Sequence, residues 1–93
     1  MDISTAHVVE ARYVEGAAEK RGPYRQEHLA RVEKLIDAGA VLVAGALADM
    51  SASLLLFDIE GEDAVRAVIE SDVYWINGIW TGDTVRKLNR VAP

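Results

Sequence analysis

The order of its apolar segments is the feature that most constrains how this chain can fold. Six segments carry the periodicity of strands or helices, in the order strand, helix, strand, strand, helix, strand. They span residues 3–14, 22–38, 40–48, 52–59, 61–71 and 79–91. The short gap between the third and fourth segments favours a hairpin. The order predicts an α+β, ferredoxin-like βαββαβ domain, with a four-stranded antiparallel sheet and both helices on one face.

The first helix has both a start signal and a stop signal. Pro23 suits a first helical turn, because the N–H that proline lacks would be unpaired there. Gly39 is expected to end the helix in a left-handed conformation. Glu27 and Arg31, four residues apart, are in the favourable order for a surface ion pair. Apolar residues recur at steps of three and four, which predicts a stripe facing the sheet: Leu29, Val32, Leu35 and Ile36.

The size of the chain predicts one domain over residues 1–93 and an uncovered sheet face. At 10.2 kDa the core is thin, and two helices cover only one side of a four-stranded sheet. An apolar sheet face in so small a domain usually finds a partner. Together with Trp75 and Trp80, this predicts a homodimer that buries the open face.

Composition excludes several classes of chemistry. The chain has no cysteine, which removes disulfides, thiolate nucleophiles and cysteine-ligated metals. No serine lies in a G-x-S-x-G turn, and no glycine motif for phosphate is present. The two histidines, His7 and His28, have no second metal ligand at a convincing spacing. We therefore expect neither a metal nor a cofactor.

Charge and hydropathy argue against nucleic-acid and membrane partners. Fifteen acidic residues outnumber ten basic ones, the formal charge is −5, and the basic residues are scattered. The longest strongly apolar run, residues 54–57, is far shorter than the ~20 residues of a membrane helix. The first residues lack the pattern of a signal peptide. A cytoplasmic protein is the expectation.

His28 is the most informative polar residue. It lies in the first turns of the helix, at the edge of the apolar stripe. Partial burial and a nearby helix N-terminus both favour a neutral imidazole, as a general base requires. The alternative is a structural histidine that is hydrogen-bonded where helix and sheet meet. His7, in the middle of the first strand, is expected to be a packed core or interface residue.

Two aspartates each follow the end of a predicted strand or helix. Asp49 comes after the second strand, where aspartate commonly caps the N–H groups of a hairpin turn. Asp72 comes after the second helix and could cap the next turn.

Three segments together resemble the YciI-like (YCII-related domain) family. The most specific is residues 21–31, where spaced arginines approach a His-Leu pair that opens the first helix. Gly39 with residues 41–45 is similar to the helix stop and second strand of the family. Residues 71–74 with Gly78 are similar to its Asp-Pro-aromatic motif and following glycine. The resemblance covers nearly the whole chain.

The resemblance implies a dimeric α+β barrel and a cavity with a catalytic His-Asp pair, here His28 and Asp49. This chain departs from the family pattern where Gly-Pro is replaced by Gly45-Ala46, and Asp-Pro by Asp72-Val73. A related member is a dehydrochlorinase that acts on a chlorinated hydroxyquinol.

The resulting hypothesis is a cofactor-free enzyme in which His28 moves a proton and Asp49 orients it. The expected substrate contacts are Arg21, Arg25, Asp72 and Trp75, and Asp72 is also the next carboxylate to test as the partner of His28. Lyase, isomerase or dehydrohalogenase chemistry on a small cyclic or phenolic metabolite fits this inventory, because proton transfer needs neither metal nor nucleophile. The alternative is a non-catalytic dimeric module that binds a small molecule or supports an assembly.

Overall fold

The computed structural model describes residues 2–92, with the side chains of residues 3–91, and contains the six predicted elements plus two short helices. The elements are β1 Asp2–Tyr13, α1 Ala17–Lys20, α2 Gly22–Asp37, β2 Val41–Ala46, β3 Ala52–Phe57, α3 Glu62–Glu70, α4 Val73–Ile76 and β4 Trp80–Ala92. Neither of the short helices, α1 and α4, was predicted. The ferredoxin-like α+β arrangement is confirmed.

The four strands form one antiparallel sheet in the order β2-β3-β1-β4. Val9 in β1 lies opposite Leu55 of β3 and Val85 of β4. Gly82 does not interrupt β4, because it continues the ladder opposite Arg12. The register shifts only at the next residue of β1. β1 and β4 therefore form a long, continuous pair.

The core lies between the sheet and the helices, and α3 contributes a buried apolar stripe to it. Val65 and Ile69 of α3 are fully buried, and Val68 packs against the core. They meet alternate residues of the central strands and the aromatic residues that follow α3. These partners are Val9, Ala11, Leu55, Phe57, Tyr74 and Trp80.

Helix α2 packs differently from its predicted stripe. Leu29 and Ile36 are 47% and 44% exposed, so the prediction is wrong for these two residues. Leu35 does pack against the core. The only buried residue of α2 is His28. Leu29 instead lines a cavity between the start of α2 and the sheet.

Gly39 ends α2 as predicted. Its φ is +79°, in the left-handed region that side chains disfavour. The N–H of Gly39 donates to the carbonyl of Ile36, and that of Ala40 donates to Leu35. These bonds satisfy carbonyls that the helix end leaves unpaired, and they turn the chain into β2.

The sheet face opposite the helices carries exposed apolar side chains. Leu54, next to the buried Leu55, is 43% exposed, and Val43 on the edge strand is 61% exposed. Strand alternation places both on the open face. The homodimer that would cover this face stays a prediction. Between residues 2 and 92, no helix is both long and apolar enough to cross a membrane.

Candidate active site

A cavity of about 260 Å³ lies between the start of α2 and the strands β2 and β3. Arginine, histidine and aromatic side chains form one side, and small residues of β2 form another. The small side chains of residues 44–46 leave the space that larger side chains would fill. The polar and aromatic residues that line it are Arg21, Arg25, His28, Ser53, Tyr74 and Trp80.

His28 is held on one side by a carboxylate and on its faces by aromatic rings. Its Nδ1 lies 2.9 Å from Oδ1 and 3.0 Å from Oδ2 of Asp72. The ring of Tyr74 stacks on the imidazole, with centroids 3.8 Å apart and planes within 10°. The indole of Trp80 meets it edge-on at 5.2 Å. These contacts bury His28 to 8% exposure and fix the plane of its ring.

Asp72 is a buried carboxylate whose negative charge is well compensated. It caps α4 by accepting a hydrogen bond of 2.9 Å from the N–H of Tyr74, as its position after α3 predicted. Burial by itself raises the pKa of Asp72. The hydrogen bonds from His28 and Tyr74 and the charge of Arg31 outweigh burial, and the net effect lowers that pKa below its ordinary value. Asp72 is therefore ionised at neutral pH.

Arg31 fixes Asp72 to the end of α3. Its guanidinium donates to Oδ2 of Asp72 at 3.1 Å, to the carbonyl of Val68 at 2.9 Å and to Oγ of Ser71 at 2.6 Å. Sequence reasoning assigned Arg31 to a surface pair with Glu27 and missed this role. The available signal was its spacing, because Arg31 is three residues after His28 and so lies on the same helix face.

The Asp72 contact determines which nitrogen of His28 is available to a ligand. An ionised carboxylate only accepts hydrogen bonds, so Nδ1 carries the hydrogen and donates it. The other nitrogen, Nε2, then has a free lone pair when the ring is neutral. It has no hydrogen-bond partner in the described part of the chain, and His28 lines the cavity. The arrangement suits a general base that acts on a molecule in the cavity.

Arg21 and Arg25 bring two positive charges to the same cavity. No carboxylate within residues 3–91 lies at ion-pair distance from either guanidinium. Nε of Arg21 is enclosed and has no hydrogen-bond partner. Such unpaired buried donors are rare in folded proteins.

A family model and a solved structure place this chain among known proteins. The model of the YCII-related domain matches residues 5–89. The chain belongs to the YCII-related domain family. No curated protein matches it significantly.

A solved structure similar to this YCII-domain chain is 5-chloro-2-hydroxyhydroquinone dehydrochlorinase (TftG) from Burkholderia phenoliruptrix AC1100, in complex with 2,5-dihydroxybenzoquinone. The TM-score is 0.75 at 22% sequence identity, over 87% of this chain and 90% of the other. At this identity the similarity shows a common fold.

The structure corrects the partner expected for His28 in this YCII-domain chain. Asp49 lies in the exposed turn between β2 and β3 and accepts hydrogen bonds from the N–H of Ser51 at 2.9 Å and its hydroxyl at 2.6 Å. These two bonds lower the pKa of Asp49. A tight hairpin needs such an acceptor, so Asp49 acts as the turn residue of the alternative interpretation. The carboxylate that contacts His28 is Asp72.

Only some of the other residues expected to contact a substrate lie in the wall of the cavity. Arg21 and Arg25 line the cavity with His28. Asp72 is 1% exposed and lies behind the imidazole, so it reaches a ligand only through His28. Trp75 packs against the core and is not part of the cavity wall, whereas Trp80 is. Tyr74 was also missed, because its position in a short helix gives no periodic signal.

A second, larger cavity of about 700 Å³ is formed by β1, β4 and the connection from β3 to α3. His7 lies in its wall and is buried, as expected for a packed residue, with Nδ1 3.1 Å from the carbonyl of Ile59. Its other polar residues, among them Asp58, Glu60 and Lys87, are exposed. Among the residues described, no group of three or more potential metal ligands is arranged to hold an ion.

Proposed function

We propose that this YCII-domain protein is a small enzyme that transfers a proton on a single-ring phenolic or cyclic metabolite without a cofactor. The observation that carries the proposal is the buried pair of His28 and Asp72, whose imidazole lines a cavity together with two arginines. The same groups would be difficult to explain as a purely structural arrangement, because the arginines have no carboxylate partners among the described residues.

Each residue of the pair has a separate task. Nε2 of His28 takes a proton from the substrate, and the imidazole becomes positively charged. Asp72 stays ionised, stabilises this charge and keeps the hydrogen on Nδ1. His28 then returns the proton to another atom of the substrate or to water. Such general acid–base catalysis contributes roughly 10²–10⁴-fold to a rate.

The walls of the cavity indicate the kind of substrate. A dry cavity of about 150 Å³ holds benzene, so about 260 Å³ accommodates one substituted ring. Tyr74 and Trp80 offer aromatic surface, and Arg21 and Arg25 suit an oxygen anion. The similarly folded dehydrochlorinase binds a hydroxylated quinone. A base that removes a proton from such a ring fits two kinds of reaction. In an isomerisation the proton returns to another ring atom, and in a dehydrohalogenation the halide leaves with its bonding electron pair while the proton passes to water.

The experiment measures turnover of 5-chloro-2-hydroxyhydroquinone through chloride release, with a panel of hydroxylated rings followed by absorbance for isomerisation. We expect turnover by the wild-type protein and a loss of at least about 100-fold in His28→Asn. Asp49→Asn is the matched control, because its carboxylate contacts only the hairpin turn, and it should keep full activity.

The alternative binding module gives a different result. The wild-type protein would then bind the rings and turn none of them over, and His28→Asn would bind them equally well. That outcome would overturn the proposed enzyme and leave a small-molecule-binding domain.

A further inference from the structure

His7 is a buried polar residue for which the proposed reaction has no role. It lies in β1 opposite Phe57 and Lys87, and it is 6% exposed. Its Nδ1 lies 3.1 Å from the carbonyl oxygen of Ile59, in the connection from β3 to α3. A carbonyl oxygen only accepts hydrogen bonds, so Nδ1 carries a hydrogen and donates it. A neutral imidazole held in this way has its lone pair on Nε2.

Nε2 of His7 opens on the larger cavity. It has no hydrogen-bond partner in the described chain, and it is not one of the enclosed unpaired atoms, which are Nε of Arg21 and Oδ2 of Asp83. The small exposed part of the imidazole therefore includes Nε2, and His7 lines the cavity. A buried imidazole thus presents an unused acceptor to a cavity of about 700 Å³, a volume typical of small-molecule sites.

The charged residues around this cavity favour a cation. Three carboxylates line it, those of Asp58, Glu60 and Glu62, against the single ammonium group of Lys87. Glu62 lies 3.9 Å from the guanidinium of Arg66. Asp58 and Glu60 are exposed, and within residues 3–91 neither is at ion-pair distance from any cation, Lys87 included. The negative charge on this side of the cavity is therefore not compensated by the described chain.

Anions and metal ions fit the cavity less well than an organic amine does. The N-terminus of α3 is part of the wall and would attract an anion, but Glu62 and Asp63 in its first turn already supply negative charge there. Among the described residues, no group of three or more potential metal ligands is arranged to hold an ion. An ammonium group brings both N–H donors for Nε2 of His7 and positive charge for the carboxylates.

We propose that this cavity is a second binding site, for a small organic amine whose ammonium group donates to Nε2 of His7 and pairs with the carboxylates of Asp58 and Glu60. Ile59, between these two acidic residues, offers apolar surface to the carbon chain of the amine. The site shares no lining residue with the cavity of His28, and it does not depend on the proposed enzyme.

Binding can be followed at the site itself by NMR, because the chain has only two imidazoles. The probe is 1,4-diaminobutane, titrated at about pH 8, where ordinary imidazoles are neutral and primary amines are charged. His28→Asn assigns the remaining imidazole signals to His7. We expect the diamine to shift the His7 signals to saturation and to leave those of His28 unchanged. Sodium chloride at the same ionic strength should not reproduce the shift.

Three variants test the chemistry of the site. Asp58→Asn/Glu60→Gln removes two carboxylates from the wall and should weaken binding by about fivefold. Glu33→Gln/Glu70→Gln is the matched control, because it makes the same change in net charge at exposed residues outside the cavity, and it should bind like wild type. Lys87→Gln removes the opposing positive charge and should strengthen binding.

Three results would overturn this site. The first is a folded wild-type protein whose His7 signals do not respond to the diamine, or respond equally to sodium chloride. The second is equal affinity in Asp58→Asn/Glu60→Gln and in its control. The third is weaker binding by Lys87→Gln, which would indicate a site for anions. A protein that binds the diamine beside His7 but turns over no ring supports this site and contradicts only the proposed enzyme.

Discussion

Nδ1 of His28 and the carboxylate of Asp72 are in contact at 2.9 and 3.0 Å, although 44 residues separate them in the sequence. His28 lies in the second turn of α2, and Asp72 is the N-cap of α4. One carboxylate thus both starts a helix and fixes the tautomer of the candidate base. Arg31, one turn after His28, bonds to the same carboxylate and makes the site a three-residue unit.

Replacement of the Asp72 carboxylate should release the tautomer of His28. In Asp72→Asn the imidazole loses the charged acceptor of its Nδ1 hydrogen, so we expect the ¹⁵N shifts to report a mixture of tautomers. Turnover of a ring substrate should fall roughly 100-fold or more. Asp49→Asn should leave both measurements at wild-type values. Unchanged ¹⁵N shifts of His28 in Asp72→Asn would mean that the pair does not operate.

Substitution of Arg31 should reduce the stability of the fold, whereas substitution of Arg25 should reduce ligand binding. Arg31→Gln removes hydrogen bonds to Asp72, Val68 and Ser71, and we expect it to lower the free energy of unfolding by roughly 1–3 kcal/mol. Arg25→Gln breaks no protein hydrogen bond in the described structure and should unfold like wild type. It should instead weaken binding of a phenolate ligand. Denaturant unfolding measures the effect on stability, and calorimetry measures the effect on binding. A destabilised Arg25→Gln together with an Arg31→Gln of wild-type stability would contradict these roles.

The ionised Asp72 should stabilise the fold above about pH 4. Its pKa in the folded chain is below the ordinary value of 3.8, so the unfolded chain takes up a proton more readily. The stabilisation is therefore complete above the unfolded pKa and is lost as the pH falls through the lower folded pKa. The difference in Tm between wild type and Asp72→Asn should therefore become smaller as the pH is lowered from about 6 to 2. A difference in Tm that stays constant over this range would show that the carboxylate charge is not responsible.

Gly39→Ala should lower the free energy of unfolding by about 1 kcal/mol. The cost is conformational, because φ is +79° and a Cβ at this position would meet no atom within 4 Å. Gly22→Ala is the matched control, since Gly22 is equally open but does not have a positive φ. It should be neutral or slightly stabilising. Equal denaturant midpoints for the two variants would show that the left-handed conformation carries no cost.

The open sheet face should form a homodimer. Leu54 and Val43 are exposed on this face, and we expect sedimentation at micromolar concentration to give about twice 10.2 kDa. Leu54→Glu places a charge in the interface and should shift the protein toward monomer. Ile76→Glu, at a residue 69% exposed on α4, should not. A folded wild-type monomer at that concentration would rule out the dimer.

Local sequence patterns predicted the elements and several individual residues correctly. Gly39 ends α2, Asp49 shapes its hairpin and Asp72 caps the turn after α3, because each of these roles depends on the nearest few residues. Periodicity was less reliable for α2. Leu29 and Ile36 fit the spacing of a buried stripe, yet they are exposed, and Leu29 lines a cavity between α2 and the sheet.

The sequence by itself determined the order of the four strands and the two longer helices, the end of α2 at Gly39, the cap at Asp72, and the position of His28 on the inner side of α2. Only the tertiary structure decided which carboxylate His28 meets. Asp49 and Asp72 are both plausible caps in the sequence, and nothing local distinguishes them as partners of a distant imidazole. The choice depends on how the end of α3 lies against α2, where Arg31 reaches Val68 and Ser71 and holds Asp72 beside the ring. Periodicity and capping encode interactions within a few residues, whereas this contact depends on the packing of two helices on one sheet.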